Sequence, residues 1–269
     1  NDTMIKDLKN VVEGVLKYVD YEKDNIVVDI GSNDGTMLSF FPADLKRIGV
    51  EPASNIDWNH LDQSINIVNN YFSRGSLKDI LKNRKVKIFT SCAMFYDLDD
   101  PNSFVSDISS LLDTEGVWCI QLSYLLSMLK NMNFYDICHE HLEYYSLETL
   151  DNLMRRHGLM IFDASLNDVN GGSARVFITH IIRDLNRSEN LVDLFNEEQK
   201  YNLFDENTYF NFYNQIMDIA NLVKNYIENK ILNNELVIGL GASTKGNILL
   251  QLFGLDKDKI PFISDINKN

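Results

Sequence analysis

The sequence predicts an α/β fold: a doubly wound seven-stranded sheet, then a helical segment, then a partial second βαβ unit. Three observations predict it. Short apolar runs alternate with amphipathic stretches from Met4 to Leu122, as strands and crossover helices of a parallel sheet do. The first of these runs, Val27-Val28-Asp29-Ile30, ends in a glycine turn, Gly31-Ser32-Asn33-Asp34-Gly35. Two later runs, Leu159 to Ala164 and Ala174 to Ile182, are joined through Asn170-Gly171-Gly172 with no helix between them, so they pair as an antiparallel hairpin.

The elements follow in order. Met4, Ile5, Leu8, Val11, Val12, Val15, Leu16 and Val19 keep helical spacing and lead into a strand from Asn25 to Ile30. A helix near Met37 to Phe41 precedes a second strand, Arg47 to Glu51. A weaker helix is expected through the fifties and sixties, then strands at Ile65 to Tyr71 and Lys85 to Thr90. Asp100 and Pro101 form an N-cap and first-turn pair, with Phe104, Val105, Ile108, Leu111 and Leu112 on one helical face. Gly116 ends that unit, and Val117 to Leu122 is a fifth strand. Ser146 caps a helix that buries Leu147, Leu150, Leu153 and Met154 and stops at Gly158. Five β/α units closed by a hairpin make the seven-stranded, Rossmann-like sheet of class I methyltransferases, whereas the dehydrogenase sheet has six strands. Residues 1–184 are therefore expected as the core and 185–234 as a helical connector with Phe210, Tyr213, Ile216, Met217, Ala220, Val223 and Ile227 inward. Residues 235–269 open a second βαβ unit, with a strand at Leu236 to Leu240, a loop from Gly241 to Asn247, a helix over Ile248 to Phe253 and a strand from Phe262.

Composition narrows the function. The formal net charge is −14, with 39 acidic and 25 basic residues, which disfavours nucleic acid and anionic membrane surfaces as partners. No apolar run approaches the roughly 20 residues that span a bilayer, and the polar start Asn1-Asp2-Thr3 is no secretory signal. Cys92, Cys119 and Cys138 form no C-x-x-C pair, which points to a reducing, cytoplasmic setting and to no structural zinc within these residues. The start at Asn1 and the stop just after a strand suggest a fragment.

Gly31 and Gly35 stand as G-x-x-x-G, not as the G-x-G-x-x-G that cradles a pyrophosphate. An adenosine compound without a diphosphate fits better, and S-adenosylmethionine is the leading candidate. Gly31, Ser32, Asn33 and Gly35 allow close backbone approach, and Asp29 is placed to accept from the ligand's ammonium. Glu51, twenty positions after Gly31, would take the ribose hydroxyls at the end of the second strand. Pro52 and Ala53 would meet the adenine, and Ser91, Cys92, Ala93 and Met94 would form the far wall. The plain alternative is a tight turn with a surface acid.

The segment Cys138-His139-Glu140-His141-Leu142-Glu143-Tyr144-Tyr145 falls after the fifth strand, at the ligand-binding end of an open sheet. It holds two of the chain's five histidines. Histidine titrates near neutral pH and can remove a weakly acidic proton, with a carboxylate to orient it. A polar loop with one satisfied histidine is the alternative, and a metal site has only weak support because the spacing is not H-E-x-x-H. The loop Gly241-Ala242-Ser243-Thr244-Lys245-Gly246-Asn247 matches neither a dinucleotide fingerprint nor a P-loop, yet it suits an anion such as a sugar-nucleotide diphosphate; an ordinary helix start with Lys245 exposed is the alternative. Asn170, Gly171 and Arg175 are either a hairpin turn with a surface arginine or a substrate rim.

Taken together, the blocks Asp29 to Thr36, Gly49 to Ala53, His139 to His141, Asn170 to Ser173 and Gly241 to Asn247 resemble the S-adenosylmethionine-dependent C-methyltransferases that act on nucleotide-linked deoxyketosugars in antibiotic and surface-glycan biosynthesis. The resemblance spans almost the whole chain. It implies a Cys-rich zinc module, a methyltransferase core and a second Rossmann-like domain, of which this chain carries the core and the first βαβ unit of the last. It also implies His141 as base with Glu140 in support, His139, Tyr144 or Tyr145 as donors to an enolate oxygen, and Tyr96, Asp97, Tyr145, Asn170, Gly171, Arg175, Lys245 and Asn247 near a nucleotide-sugar substrate. The chain departs from better-known members at Cys138, where they have tyrosine, and at Asp97, where they have histidine. Transfer to a sugar hydroxyl with the same cofactor, and a non-catalytic nucleotide-sugar binding domain, are the competing expectations.

Overall fold

A computed structural model describes residues 2–265, except the side chain of Asn170. Its elements run α1 (Asp2–Leu16), β1 (Ile26–Ile30), β2 (Lys46–Val50), β3 (Ile65–Val68), α2 (Lys78–Leu81), β4 (Val86–Cys92), α3 (Pro101–Leu111), β5 (Leu112–Ser123), α4 (Leu125–Lys130), α5 (Leu147–Arg156), β6 (Leu159–Asn167), β7 (Ser173–His180), α6 (Glu189–Tyr201), α7 (Glu206–Leu232), β8 (Gly239–Leu240), α8 (Thr244–Phe253) and β9 (Ile263–Ser264). Seven strands form one sheet in the order β3-β2-β1-β4-β5-β7-β6. β1 to β5 pair in parallel, and β7 runs antiparallel to both its neighbours. This is the class I methyltransferase arrangement that the alternating units and closing hairpin predict. The chain leaves β1 toward β2 on one side and returns to β4 on the other, so a crevice opens at the carboxyl ends of β1 and β4.

Strand β1 is buried along its whole length because helices cover both faces of a parallel sheet. On one face Val11, Val12 and Val15 of α1 pack with Val27, Ile88, Val117, Cys119 and Phe177. Full burial of each such valine stabilises the fold by about 1.5–3 kcal/mol. Asp100 caps α3 by accepting from the Ser103 amide, with Pro101 following, as expected. Ser146 caps α5 through a reciprocal pair with Thr149.

Three local expectations are corrected. No helix forms between β2 and β3. Asp57 and Asp62 instead accept from amides two residues on, which favours turns, and the Trp58 indole donates to the Asn33 carbonyl. Leu112 and Gly116 belong to β5 and do not close α3, since Leu112 pairs with Val86 across the sheet. On α7 the buried face is Phe212, Ile216, Ala220 and Ile227, while Phe210 and Tyr213 are exposed. Phe212 and Phe210 flank the same stripe, so spacing alone did not choose between them.

The chain divides into two compact units, and their borders differ from the expected domains. One holds residues up to 125 together with 142–200; the other holds 126–141 together with the chain from 201. Helix α6 joins the first unit because Glu198, almost fully buried, accepts from the amides of Leu147 and Glu148 at the start of α5. Nothing in the local sequence marks a cap supplied from about fifty residues away. In the second unit β8 and β9 pair in parallel on either side of α8, the βαβ unit expected from residue 235. Its strands are only two residues long. Among the described residues, no helix is long and apolar enough to cross a membrane.

Candidate active site

A cleft of about 750 Å³ lies in the first unit, at the switch point of the sheet. Small-molecule sites span about 300–1,000 Å³. Its floor is the end of β1 and the turn after it: Asp29, Ile30, Gly31, Ser32, Asn33 and Asp34. Gly31 has φ +71°, a conformation that favours glycine, and a Cβ there would come within 3.3 Å of Met94 across the cleft. Gly35 has φ +77° and closes the turn by donating its amide to the Ser32 carbonyl.

Four acidic residues line this space, and two of them, Asp29 and Glu51, lie at the ends of β1 and β2. Asp29 is buried and accepts from the Thr90 hydroxyl at 2.8 Å through one oxygen. Burial, with a smaller contribution from the Glu51 charge, raises its pKa from 3.8 to about 7, although the Thr90 bond pulls the other way. Glu51 sits at the end of β2. Its two oxygens each accept one backbone amide, from Asn33 and from Ala53, both at 2.9 Å. These bonds aim the carboxylate and leave it further acceptor capacity for ligand hydroxyls. Asn69 reinforces the turn by donating to the carbonyls of Glu51 and Ala53.

Cys92, Ala93 and Met94 after β4 line the cleft, with Asp97 and Leu98 following. Ser91 does not reach it. The alternation of β4 turns its side chain into the core, where its hydroxyl accepts from the Trp118 indole at 3.1 Å. Ala53 and Gly35 shape the lining without belonging to it, whereas Pro52 belongs to it. Sequence reasoning missed Met4, Ile5 and Leu8 of α1, Tyr71 and Phe72 after β3, and Phe104 of α3. The α1 residues carried a signal in retrospect: they extend the apolar stripe one turn beyond the core contacts of Val11 to Val15.

The histidine segment divides between the units, with 138–141 in the second and the chain from Leu142 in the first. His139 and Glu140 are exposed, and their side chains lie 3.8 Å apart, so the carboxylate nearest in sequence to His141 approaches His139. His141 is half-buried, and its amide donates to the Cys138 carbonyl. Leu142 and Glu143 both donate their amides to the Tyr96 carbonyl. The chain just after His141 is thereby tied to the 3-10 turn Phe95–Asp97, next to Met94 of the cleft wall. Tyr96 itself is buried outside the cleft lining, and Tyr144 is half-buried. Tyr145 is buried with its hydroxyl unpartnered and its ring 5.3 Å from that of Phe95, and burial pushes its pKa up. The three cysteines are free.

Two expected substrate contacts have internal partners. Arg175 is no surface arginine: its side chain is 11% exposed and pairs with Asp7 at 2.9 Å. Lys245 forms an ion pair with the buried Asp136 and lies over the Tyr135 ring, 5.2 Å from its centre. Buried carboxylates such as these require a cation, and the sequence does not show which lysine or arginine supplies it. Ser243 caps α8 by accepting from the Gly246 amide, and Asn247 is exposed one turn in. Gly171 lies in the hairpin turn with φ +85°; the side chain of Asn170 is outside the described residues.

S-adenosylmethionine fits the cleft. Asp29 has one oxygen without a hydrogen-bond partner among the described residues and gains from a neighbouring cation. Glu51 presents an aimed carboxylate, the glycine turn leaves open backbone, and Met37, Leu98 and Phe104 provide apolar surface.

Comparison with known proteins finds methyltransferases. Residues 5–163 match the family described as a methyltransferase domain, and residues 168–269 match the C-methyltransferase C-terminal domain. The C-methyltransferase NovU of Streptomyces niveus is 28% identical over 265 residues, covering 98% of this chain. The chain spans 63% of that relative's length. Among solved structures, a putative methyltransferase of Haloferax volcanii in complex with its Trm112 activator aligns with a TM-score of 0.49 and 15% identity, over 66% of this chain and 95% of that one. Magnesium protoporphyrin IX methyltransferase from Synechocystis PCC 6803, with bound SAH, aligns with a TM-score of 0.49 and 10% identity, over 66% of this chain and 83% of that one.

Proposed function

Because the chain belongs to the S-adenosylmethionine-dependent methyltransferase family, we propose that it transfers a methyl group from that cofactor to a carbon of a nucleotide-linked ketosugar, with His141 as the base. The observation that carries the proposal is the pair of carboxyl groups, Asp29 and Glu51, on either side of the Gly31 turn at the switch point. The match of residues 168–269 to a C-methyltransferase C-terminal domain supports carbon as the acceptor.

The cofactor supplies an electrophilic sulfonium methyl group. The residues of this chain do the rest. Asp29 would pair with the cofactor's ammonium, Glu51 would accept from its ribose hydroxyls, and Pro52 with the apolar wall would shield its base. A carbonyl on the sugar acidifies the neighbouring C–H. His141 takes that proton on an imidazole nitrogen, as a general base held beside the substrate. The electron pair moves into the carbonyl as an enolate, whose oxygen is stabilised by a donor; His139, Tyr144 and Tyr145 are the assigned candidates. The enolate carbon would then form the new C–C bond to the methyl group as the S–CH3 bond breaks, its electron pair returning to sulfur so that S-adenosylhomocysteine leaves. Holding the partners in register and shedding water account for most of the rate. Substrate contacts are assigned to Asp97, Gly171 and Asn247, and the setting is the cytoplasm.

The test is deuterium exchange and turnover with a nucleotide-linked 4-ketosugar. The wild-type protein exchanges the proton beside the carbonyl in D2O and yields a C-methyl product by ¹³C NMR. His141→Gln is expected to lose both exchange and turnover by about 10²-fold or more. A methyl ether as product, or full activity in His141→Gln, would refute the assignment.

A further inference from the structure

We infer that Arg175, with Asp7 and Gln121, is a positioning device that fixes helix α1 as one wall of the cofactor cleft. The inference rests on the assignment of that cleft to S-adenosylmethionine. Its basis is a break in an otherwise apolar pattern. Cys119 on β5 faces Phe177 on β7, and both pack under Val11, Val12 and Val15 of α1. One step toward the carboxyl end of β5, on the same face, the pair becomes Gln121 and Arg175. The matching turn of α1 presents Asp7. All three side chains are shielded from solvent.

Their hydrogen bonds form a closed set. Asp7 accepts from Arg175 Nη2 at 2.9 Å on one oxygen and from Gln121 Nε2 at 2.6 Å on the other. Gln121 Oε1 accepts from Arg175 Nε at 3.0 Å, from Arg175 Nη2 at 2.8 Å and from Asn167 at 3.2 Å. Arg175 Nη1 donates to the Asn10 carbonyl at 3.2 Å. The arginine thus grips α1 at two points, a side chain and a carbonyl one turn apart. Such a grip sets both the rotation and the axial position of the helix.

Just beyond it, Met4, Ile5 and Leu8 line the cleft. Met4 and Ile5 are 39% and 44% exposed, so a ligand filling the cleft would take apolar surface from water there. A buried ion pair adds little stability over apolar residues of the same volume, but it admits one register where an apolar contact admits several. The device therefore acts on where Met4, Ile5 and Leu8 stand, and through them on cofactor affinity.

The test compares wild type with Asp7→Leu/Gln121→Leu/Arg175→Met, which removes both charges and the buried amide between them and so strands none of the three. Binding of S-adenosylhomocysteine is read by calorimetry, and amide exchange is read over residues 4–8. The triple variant is expected to unfold at or above the wild-type midpoint, yet to bind about tenfold more weakly. The ligand-induced protection of residues 4–8 should shrink, and KM for the cofactor should rise with KM for the acceptor unchanged. Met4→Gln, an exposed change that spares the network, is expected to weaken binding about threefold at unchanged stability. If wild type binds and either variant that folds binds within 1.5-fold of it, the inference is wrong. If wild type itself does not bind, the cofactor assignment fails first.

Discussion

Asp29→Asn separates the two roles of a buried acid at a cofactor site. In the unfolded chain this carboxyl ionises above pH 3.8; in the fold it holds its proton to about 7, chiefly because it is buried. Its contribution to stability is therefore full below pH 3.8 and is lost as pH rises through 7. At about 1.4 kcal/mol per pH unit, the ionised group costs the fold roughly 4 kcal/mol above neutrality. Asparagine keeps an oxygen to accept the 2.8 Å bond from Thr90 and never ionises. The variant should be more stable than wild type by about 2–4 kcal/mol at pH 8, by urea unfolding, and indistinguishable from it by pH 4. The same change removes the anion proposed to meet the cofactor's ammonium, so affinity at pH 8 should fall about 10- to 100-fold. Wild-type affinity should decline about tenfold per pH unit below 7, since binding selects the ionised form; in the variant that slope disappears. A variant less stable at pH 8, or a stability difference unchanged between pH 4 and pH 8, would refute the reasoning.

Two further outcomes follow from the geometry. Gly35→Ala should destabilise the protein by about 1–3 kcal/mol, because φ of +77° disfavours a side chain and the new Cβ would stand 2.6 Å from Leu61 Cδ1; the urea midpoint reads it. Glu198→Ala should cost about 2–4 kcal/mol at an unchanged m-value, because two amides at the start of α5 lose their buried acceptor.

How far the sequence carried the site can be seen residue by residue. Asp29, Gly31 and Glu51 were legible because a strand end, a glycine turn and an acid at the next strand end are local features whose spacing the fold dictates. Ser91 was misplaced by one step of strand alternation, which its neighbours in sequence do not reveal. Arg175 and Lys245 looked like free cations because their partners, Asp7 and Asp136, lie 168 and 109 positions away. The contribution of α1 to the cleft was hidden for the same reason: an amphipathic stripe announces that it packs, and not against what.

By itself, then, the sequence determined the succession of the seven strands, the closing hairpin and the glycine turn after β1. Those rest on periodicity, glycine and short-range hydrogen bonding, all of which act between near neighbours. Tertiary structure alone decided which charges were paired, which face of α7 was covered, and that α6 caps α5 through Glu198. Pairing and desolvation depend on the three-dimensional neighbourhood of a group, and residues far apart in the chain supply it.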